Sequence, residues 1–187
     1  MRTLISLACA TWLVALCPAW ASGHSPDHIY TLSSRGWQRN NVPSWQGFHS
    51  EVFTCSVCEE QVQVQIDVGA QLSPGAPFTT DEQFLASVKT PAQQKQFADG
   101  LLRSKIPFQS GFSIRIANTG LTKVGGKAAL QFTAIIEAPQ MPAARETRIL
   151  LIYKGRLVSI SLNYIDGSFS PKARKAVDGL LSSLKFL

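Results

Sequence analysis

From Gln61 to Val68 the sequence alternates without a break. Val62, Val64, Ile66 and Val68 fall on one side, and Gln61, Gln63, Gln65 and Asp67 on the other. Only an extended chain, whose successive side chains point to opposite faces, turns that order into one buried and one wet surface. The same signature returns in Ala128, Leu130, Phe132, Ala134 and Ile136, and again where Val158, Ile160, Leu162 and Tyr164 oppose Ser159, Ser161 and Asn163. Phe112, Ile114 and Ile116, alternating with Ser113, Arg115 and Ala117, predict a further strand. Asn118-Thr119-Gly120 and Gly125-Gly126 read as turns, and Lys154-Gly155-Arg156 as the hairpin turn between strands at 147–153 and 157–165. Between Ile29 and Glu51 the signals are mixed: Trp37, Val42, Trp45 and Phe48 lie among Gly36, Pro43 and Gly47, which predicts short strands and turns, with both tryptophans as core filling.

Helices interrupt this pattern twice. Thr80 is placed to cap a helix, with Gln83 three residues on and Asp81 and Glu82 in the first turn, where the helix dipole is positive. Thr90-Pro91 repeats the start signal, so two helices or one kinked helix extend to about Lys105, with Phe84, Leu85, Val88, Phe97, Leu101 and Leu102 facing inward and Pro107 ending them. The last helix is capped by Ser170 and started by Pro171, and carries a stripe of Ala173, Ala176, Val177, Leu180, Leu181 and Leu184. Short loops between successive strands favour an antiparallel sheet with helices packed on it, an α+β fold.

The chain begins MRTLISLACATWLVALCPAWA, with a cationic Arg2, an apolar run from Leu4 to Leu16, and Ala19-Trp20-Ala21 as a small-x-small cleavage site. This predicts a secretory signal peptide over residues 1–21, a mobile lead-in over 22–34, and a single domain over 35–187. The apolar run is shorter than the roughly 20 residues a membrane span needs. A lipoprotein reading at Cys17 is weakened by Leu16, which stands where such signals carry a small residue. Removing Arg2 with the leader lowers the formal net charge from +6 to +5. The basic residues are dispersed, which argues against a nucleic-acid arm and leaves anionic envelope components or an acidic protein as partners.

Cys9 and Cys17 belong to the leader, so Cys55 and Cys58 are the pair left in the domain. An even count in an oxidising compartment favours a disulfide, here one that pins a hairpin register. Two other readings stay open. A redox centre wants its first thiol at a helix N-terminus, whereas this pair precedes Glu59, Glu60 and a strand. A copper or zinc site would need Cys55, Cys58 and His49, since no Cys or His follows Cys58; His24 and His28 are separated by Pro26. No Gly-x-Ser-x-Gly, phosphate loop or late His marks a nucleophile or base, so no catalytic residue and no cofactor is expected. Lys123, Lys127, Arg145, Arg148, Lys154 and Arg156 lie on or near two predicted hairpins and form a candidate positive binding edge. Charges that keep an edge strand from aggregating would look the same.

The final block, KGRLVSISLNYIDGSFSPKARKAVDGLLSSLKFL, runs from a hairpin strand through a short loop into a helix, and TTDEQFLASVK begins a helix in mid-chain. With these elements the chain from about residue 35 onward resembles the PsbP/Mog-type superfamily, an antiparallel sheet sandwiched between helices (an α/β/α sandwich). The resemblance implies a non-enzymatic module that binds or chaperones a protein. The expectation is therefore an exported, periplasmic or secreted binding protein without a transmembrane segment once the leader is cut, in an immunity or secretion-accessory role. The alternative is a metal- or redox-linked protein using Cys55 and Cys58.

Overall fold

The described residues of the computed structural model are 22–24, 29–45, 48–105, 111, 113–165 and 167–187. The expected leader, His28, Pro107, Phe112 and Asp166 lie outside them, as do the side chains of His24 and Trp45. In chain order the elements are β1 (Ser22–His24), β2 (Tyr30–Ser33), β3 (Trp37–Trp45), β4 (Phe48–Cys55), β5 (Gln63–Gln71), α1 (Asp81–Ser87) and α2 (Pro91–Lys105). They continue with β6 (Ser113–Val124), β7 (Lys127–Glu137), β8 (Ala144–Tyr153), β9 (Arg156–Ile165), α3 (Pro171–Ser183) and β10 (Lys185–Phe186).

Each alternating run is a strand of one seven-stranded sheet ordered β3-β4-β5-β9-β8-β7-β6, and every pairing in it is antiparallel. Its tight turns need left-handed backbone. Gly125 and Gly126 (φ 54° and 78°) join β6 to β7, and Lys154 and Gly155 (φ 50° and 69°) join β8 to β9. Two positive φ values in succession belong to the hairpin turn whose twist matches its strands.

The helix starts follow their caps. Thr80 accepts from Gln83 N while Gln83 returns to the Thr80 backbone. Thr90 and Gln93 make the same reciprocal pair, and the Ser170 hydroxyl accepts from Ala173 N. A break at residues 88–90 makes α1 and α2 two separate helices.

Buried apolar residues fall into two clusters. One joins Ala173, Val177 and Leu180 of α3 to Val64, Ile66, Val158 and Ile160, and to Ile149 and Leu151 of β8. The other joins Phe84 and Val88 of the α1 segment and Ala98 and Leu102 of α2 to Leu130, Phe132 and Ala134, and to Leu150 and Ile152 of β8. Adjacent residues of β8 thus enter different clusters, as a strand's period of two requires.

Two expectations are corrected. Asn118-Thr119-Gly120 is no turn: it lies inside β6, and the register against β7 shifts once between Ile116 and Asn118. A bulge absorbs one extra residue without ending the strand. Within the segment read as a mobile lead-in, β2 pairs with β1 and β10, and Tyr30 and Leu32 are buried. Tyr30 donates its hydroxyl to the buried Glu51, which also takes a bond and an ion pair from Arg39 (Nε to Oε1, 3.0 Å). Burial first, and the Glu51 bond second, raise the Tyr30 phenol far above its ordinary value, so it stays a donor.

Glu51 is 1% exposed, so losing one donor leaves a buried carboxylate short of a partner. Tyr30→Phe is expected to lower unfolding free energy by about 1–3 kcal/mol in urea titrations. A variant as stable as the parent would show that the bond contributes nothing.

Candidate functional site

Cys55 ends β4 and Cys58 lies in the loop that follows, and the two are joined as a disulfide with Cα atoms 5.6 Å apart. Around it, Cys55 N donates to Val62 O (3.0 Å) and Ser56 N to Gly36 O (3.0 Å), which ties the loop to both neighbouring strands. Cys55 stands at a strand end and Cys58 in a loop, so neither thiol occupies a helix N-terminus of the kind that activates a redox centre. The metal set Cys55, Cys58 and His49 is not brought together. His49 and Cys55 are six residues apart along one extended strand, about 20 Å at roughly 3.3 Å per residue, whereas ligands must meet around one ion. Among the described residues no group of three or more His, Cys, Asp or Glu is placed to hold a metal.

The carboxylates after the disulfide serve α3. Glu60 Oε1 accepts from Ser170 N (2.8 Å) at the helix cap, and Glu59 pairs with Lys172 (3.3 Å) in the first turn. Hydrogen bonding by Ser170, side chain first and backbone second, holds the Glu60 carboxyl below its ordinary 4.5. A depressed carboxyl stabilises the fold fully above the unfolded value and loses that contribution as pH falls through the folded one. Glu60→Gln should therefore lower Tm at pH 7, and the gap to the parent should close as pH drops below about 4.5. A gap independent of pH would break the assignment.

The six residues of the expected positive edge separate. The β7–β8 register sets Lys127 beside Tyr153, so the β6–β7 and β8–β9 turns share one end of the sheet. Lys123, Lys127 and Lys154 are exposed there, and Lys127 Nζ and Lys154 Nζ stand 5.4 and 5.6 Å from the centre of the Tyr153 ring. The Tyr153 hydroxyl donates to Leu187 O, which fixes the ring beside the two lysines. Arg156 lies at the same end and donates to Gly69 O (3.1 Å). A cleft of about 350 Å³ opens beside the lysines, bounded across from them by Thr80 and Asp81 at the start of α1. Burial, and Glu82 after it, raise the Asp81 carboxyl, while Lys127 opposes them.

Arg145 lies elsewhere, opposite Tyr164 and Ile135 toward the other end of β8. Arg148 is buried, and its Nη2 pairs with Glu146 two residues away. Sequence reading missed what surrounds it. Across β8, β9 and β5 the register aligns Arg148 with Ser161 and Gln65, and Leu150 with Ser159 and Asp67. Asp67 takes bonds from Ser50 Oγ (2.6 Å) and Gln65 Nε2 (2.7 Å). Ser159, Ser161, Ser50 and Asp67 are all buried, so the middle of the side expected to be wet is closed, while Gln61 and Asn163 stay exposed. Arg148 Nε and Nη1 and Ser159 Oγ find no hydrogen-bond partner among the described residues. The signal was present in the residue types: apart from Arg156 at the start of β9 and Tyr164 near its end, the polar positions of β5 and β9 are Ser, Gln, Asn and Asp, with none of the Lys or Glu that usually faces water.

Removing one member of a buried ion pair strands the other. Arg148→Met should cost about 3–5 kcal/mol, while Arg148→Met with Glu146→Leu should restore most of it, read by urea unfolding. If the double variant is as unstable as the single, Arg148 is held by something besides Glu146.

No protein-family model matches the chain, and no curated protein sequence does. Solved structures do. The solution structure of cyanobacterial PsbP (CyanoP) from Synechocystis sp. PCC 6803 is 11% identical, with a TM-score of 0.55 over 94% of this chain and 99% of that one. A crystal structure from Bacteroides thetaiotaomicron is also 11% identical, with a TM-score of 0.50 over 88% of this chain. The chain spans about half (47%) of that protein's length. Among the described residues no helix is long and apolar enough to cross a membrane. At such identity the likeness speaks of architecture alone, and in architecture the chain has a PsbP-like fold.

Proposed function

We propose that this chain is an exported, non-enzymatic binding module that engages an acidic protein or anionic envelope component through the lysine-bearing end of its sheet. One observation carries the reading: two hairpin turns bring Lys123, Lys127 and Lys154 to one end of the sheet, with two of the lysines held against Tyr153. Cations presented on rigid turns lose little freedom on binding, and they steer an oppositely charged partner toward the surface. The leader at residues 1–21 and the oxidised Cys55–Cys58 pair support export to an oxidising compartment. The two buried clusters, sharing alternate residues of β8, support helix layers on both faces of the sheet. That frame gives the turns a fixed platform.

The test places a photo-crosslinking residue at Lys123 or Lys154, with exposed Lys95 on α2 as control, in protein kept in its exported fraction. Adducts should form from positions 123 and 154 and not from 95. They should fall at least about tenfold when Lys127 and the remaining tip lysine are changed to Glu, and weaken with salt over the range where charges are screened. Equal adducts from all three positions, or none, would overturn the reading. Cys55→Ser with Cys58→Ser should cost about 1–2 kcal/mol for so small a ring and leave the adducts unchanged. Their loss in a variant that still folds would move the site to the disulfide loop.

A further inference from the structure

Among the described residues the seven-stranded sheet ends in β3 on one side and β6 on the other, and the two edges differ. β3 holds Pro43, which has no N–H to offer, and its register shifts after Val42. β6 is 12 residues long, contains no proline, and pairs with β7 without interruption from Asn118 to Val124. An edge of that length carries a row of outward N–H and C=O groups able to bind another extended chain. Natural edges are blunted by charge, proline, bulges or cover. This one has its bulge before Asn118, which leaves the seven residues after it regular.

Side chains on this stretch suit a docked strand. Leu121, at its centre, is 52% exposed on an otherwise polar edge. Its neighbour Gly120 leaves the opposite face open, since a Cβ built there would meet nothing within 4 Å. On that face a cleft of about 600 Å³ lies between β6 and α3, lined by Thr122, Val124, Gln131, Ile149, Asp178 and Leu181. A strand laid along β6 could cover Leu121 with side chains on one face and reach the cleft with those on the other.

Charge selects the occupant. β6 carries Arg115 and Lys123 and no acidic residue, and Lys127 follows at the turn. In a two-fold pairing of β6 with a second copy centred on Leu121, Lys123 of each chain would lie opposite Thr119 of the other, so a second copy offers these cations no countercharge. We propose that Asn118–Val124 of β6 receives an extended, acidic segment of a partner protein, which adds to the sheet as an eighth strand. This rests on the binding role proposed above and supplies its mode: backbone bonds for attachment, the neighbouring lysines for selection.

The probe is a capped nine-residue peptide alternating Glu with Val and Thr, used at millimolar concentration against the full chain, with amide hydrogen exchange as readout. Alternate amides between Asn118 and Val124 should gain protection. Affinity should fall at least about tenfold for the same peptide with Lys in place of Glu, and for the chain carrying the exposed change Leu121→Glu. A peptide with alternate residues changed to proline should give no protection, because it cannot complete the ladder. Protection elsewhere, none at all, or equal protection by the Lys peptide would overturn the inference. So would a dimer in sedimentation whose formation Leu121→Glu abolishes, since the edge would then belong to a second copy. Lysine-dependent crosslinking without protection of β6 leaves the binding role standing and removes the strand addition; protection of β6 with no crosslinking at Lys123 or Lys154 does the reverse.

Discussion

Strand β8 sets the condition that the rest of the molecule meets. Ile149 and Leu151 leave it on one side, Leu150 and Ile152 on the other, and all four are buried. A strand apolar on both faces is unstable unless each face is covered, because every exposed large aliphatic side chain forgoes about 1.5–3 kcal/mol of burial. The two clusters draw on different parts of the chain: α3 belongs to that of Ile149 and Leu151, and α1 and α2 to that of Leu150 and Ile152. The caps at Thr80, Thr90 and Ser170 are therefore more than local signals. They fix where each of these helices begins, and Glu60 and Glu59 tie the start of α3 back to the disulfide loop.

Much of this was legible before any coordinates, because period-two alternation and reciprocal Thr/Gln caps are local physics. The sheet's strands and all three helix starts were readable for that reason. What misled was chemistry whose meaning depends on distant neighbours. Asn118-Thr119-Gly120 has the composition of a turn, yet β7 supplies a complete pairing partner and the irregularity shrinks to one bulge. Tyr30 lies in a polar, proline-bearing approach, but Glu51, 21 residues on, gives its hydroxyl a buried acceptor. His49 and Cys55 looked close as numbers. In a strand six residues are about 20 Å, whereas in a loop they could have met.

The candidate sites show the same division. Lys123, Lys127, Lys154 and Arg156 could be grouped from sequence because hairpin turns at one end of antiparallel strands are predictable from strand order. Arg145 and Arg148 could not be separated from them without the register, which sends one to the other end of β8 and the other into the interior. The polar side of β5 and β9 was misjudged for a related reason. Alternation shows that two faces differ in polarity; it does not show that the more polar one is wet. Ser159 and Ser161 are small and closely surrounded, and Asp67 has exchanged water for a hydroxyl and an amide.

Buried polarity also bears on how the proposed binding surface at the edge of this sheet would be precise. Apolar packing tolerates sliding, since one aliphatic contact is much like another, whereas a buried carboxylate accepts few arrangements. Glu51 is held from β2 by Tyr30 and from β3 by Arg39, which fixes the small sheet against the large one. On β8, Arg148 and Glu146 make a second directional contact in the interior, and Thr133 with Thr147 (3.0 Å) a third between β7 and β8. A register error of one residue would send all of these groups to the opposite face. The interior thus specifies the register of the strands whose turns carry Lys127 and Lys154, and through β7 that of the edge strand β6. Any partner that reads spacing along that edge depends on polar contacts it never touches.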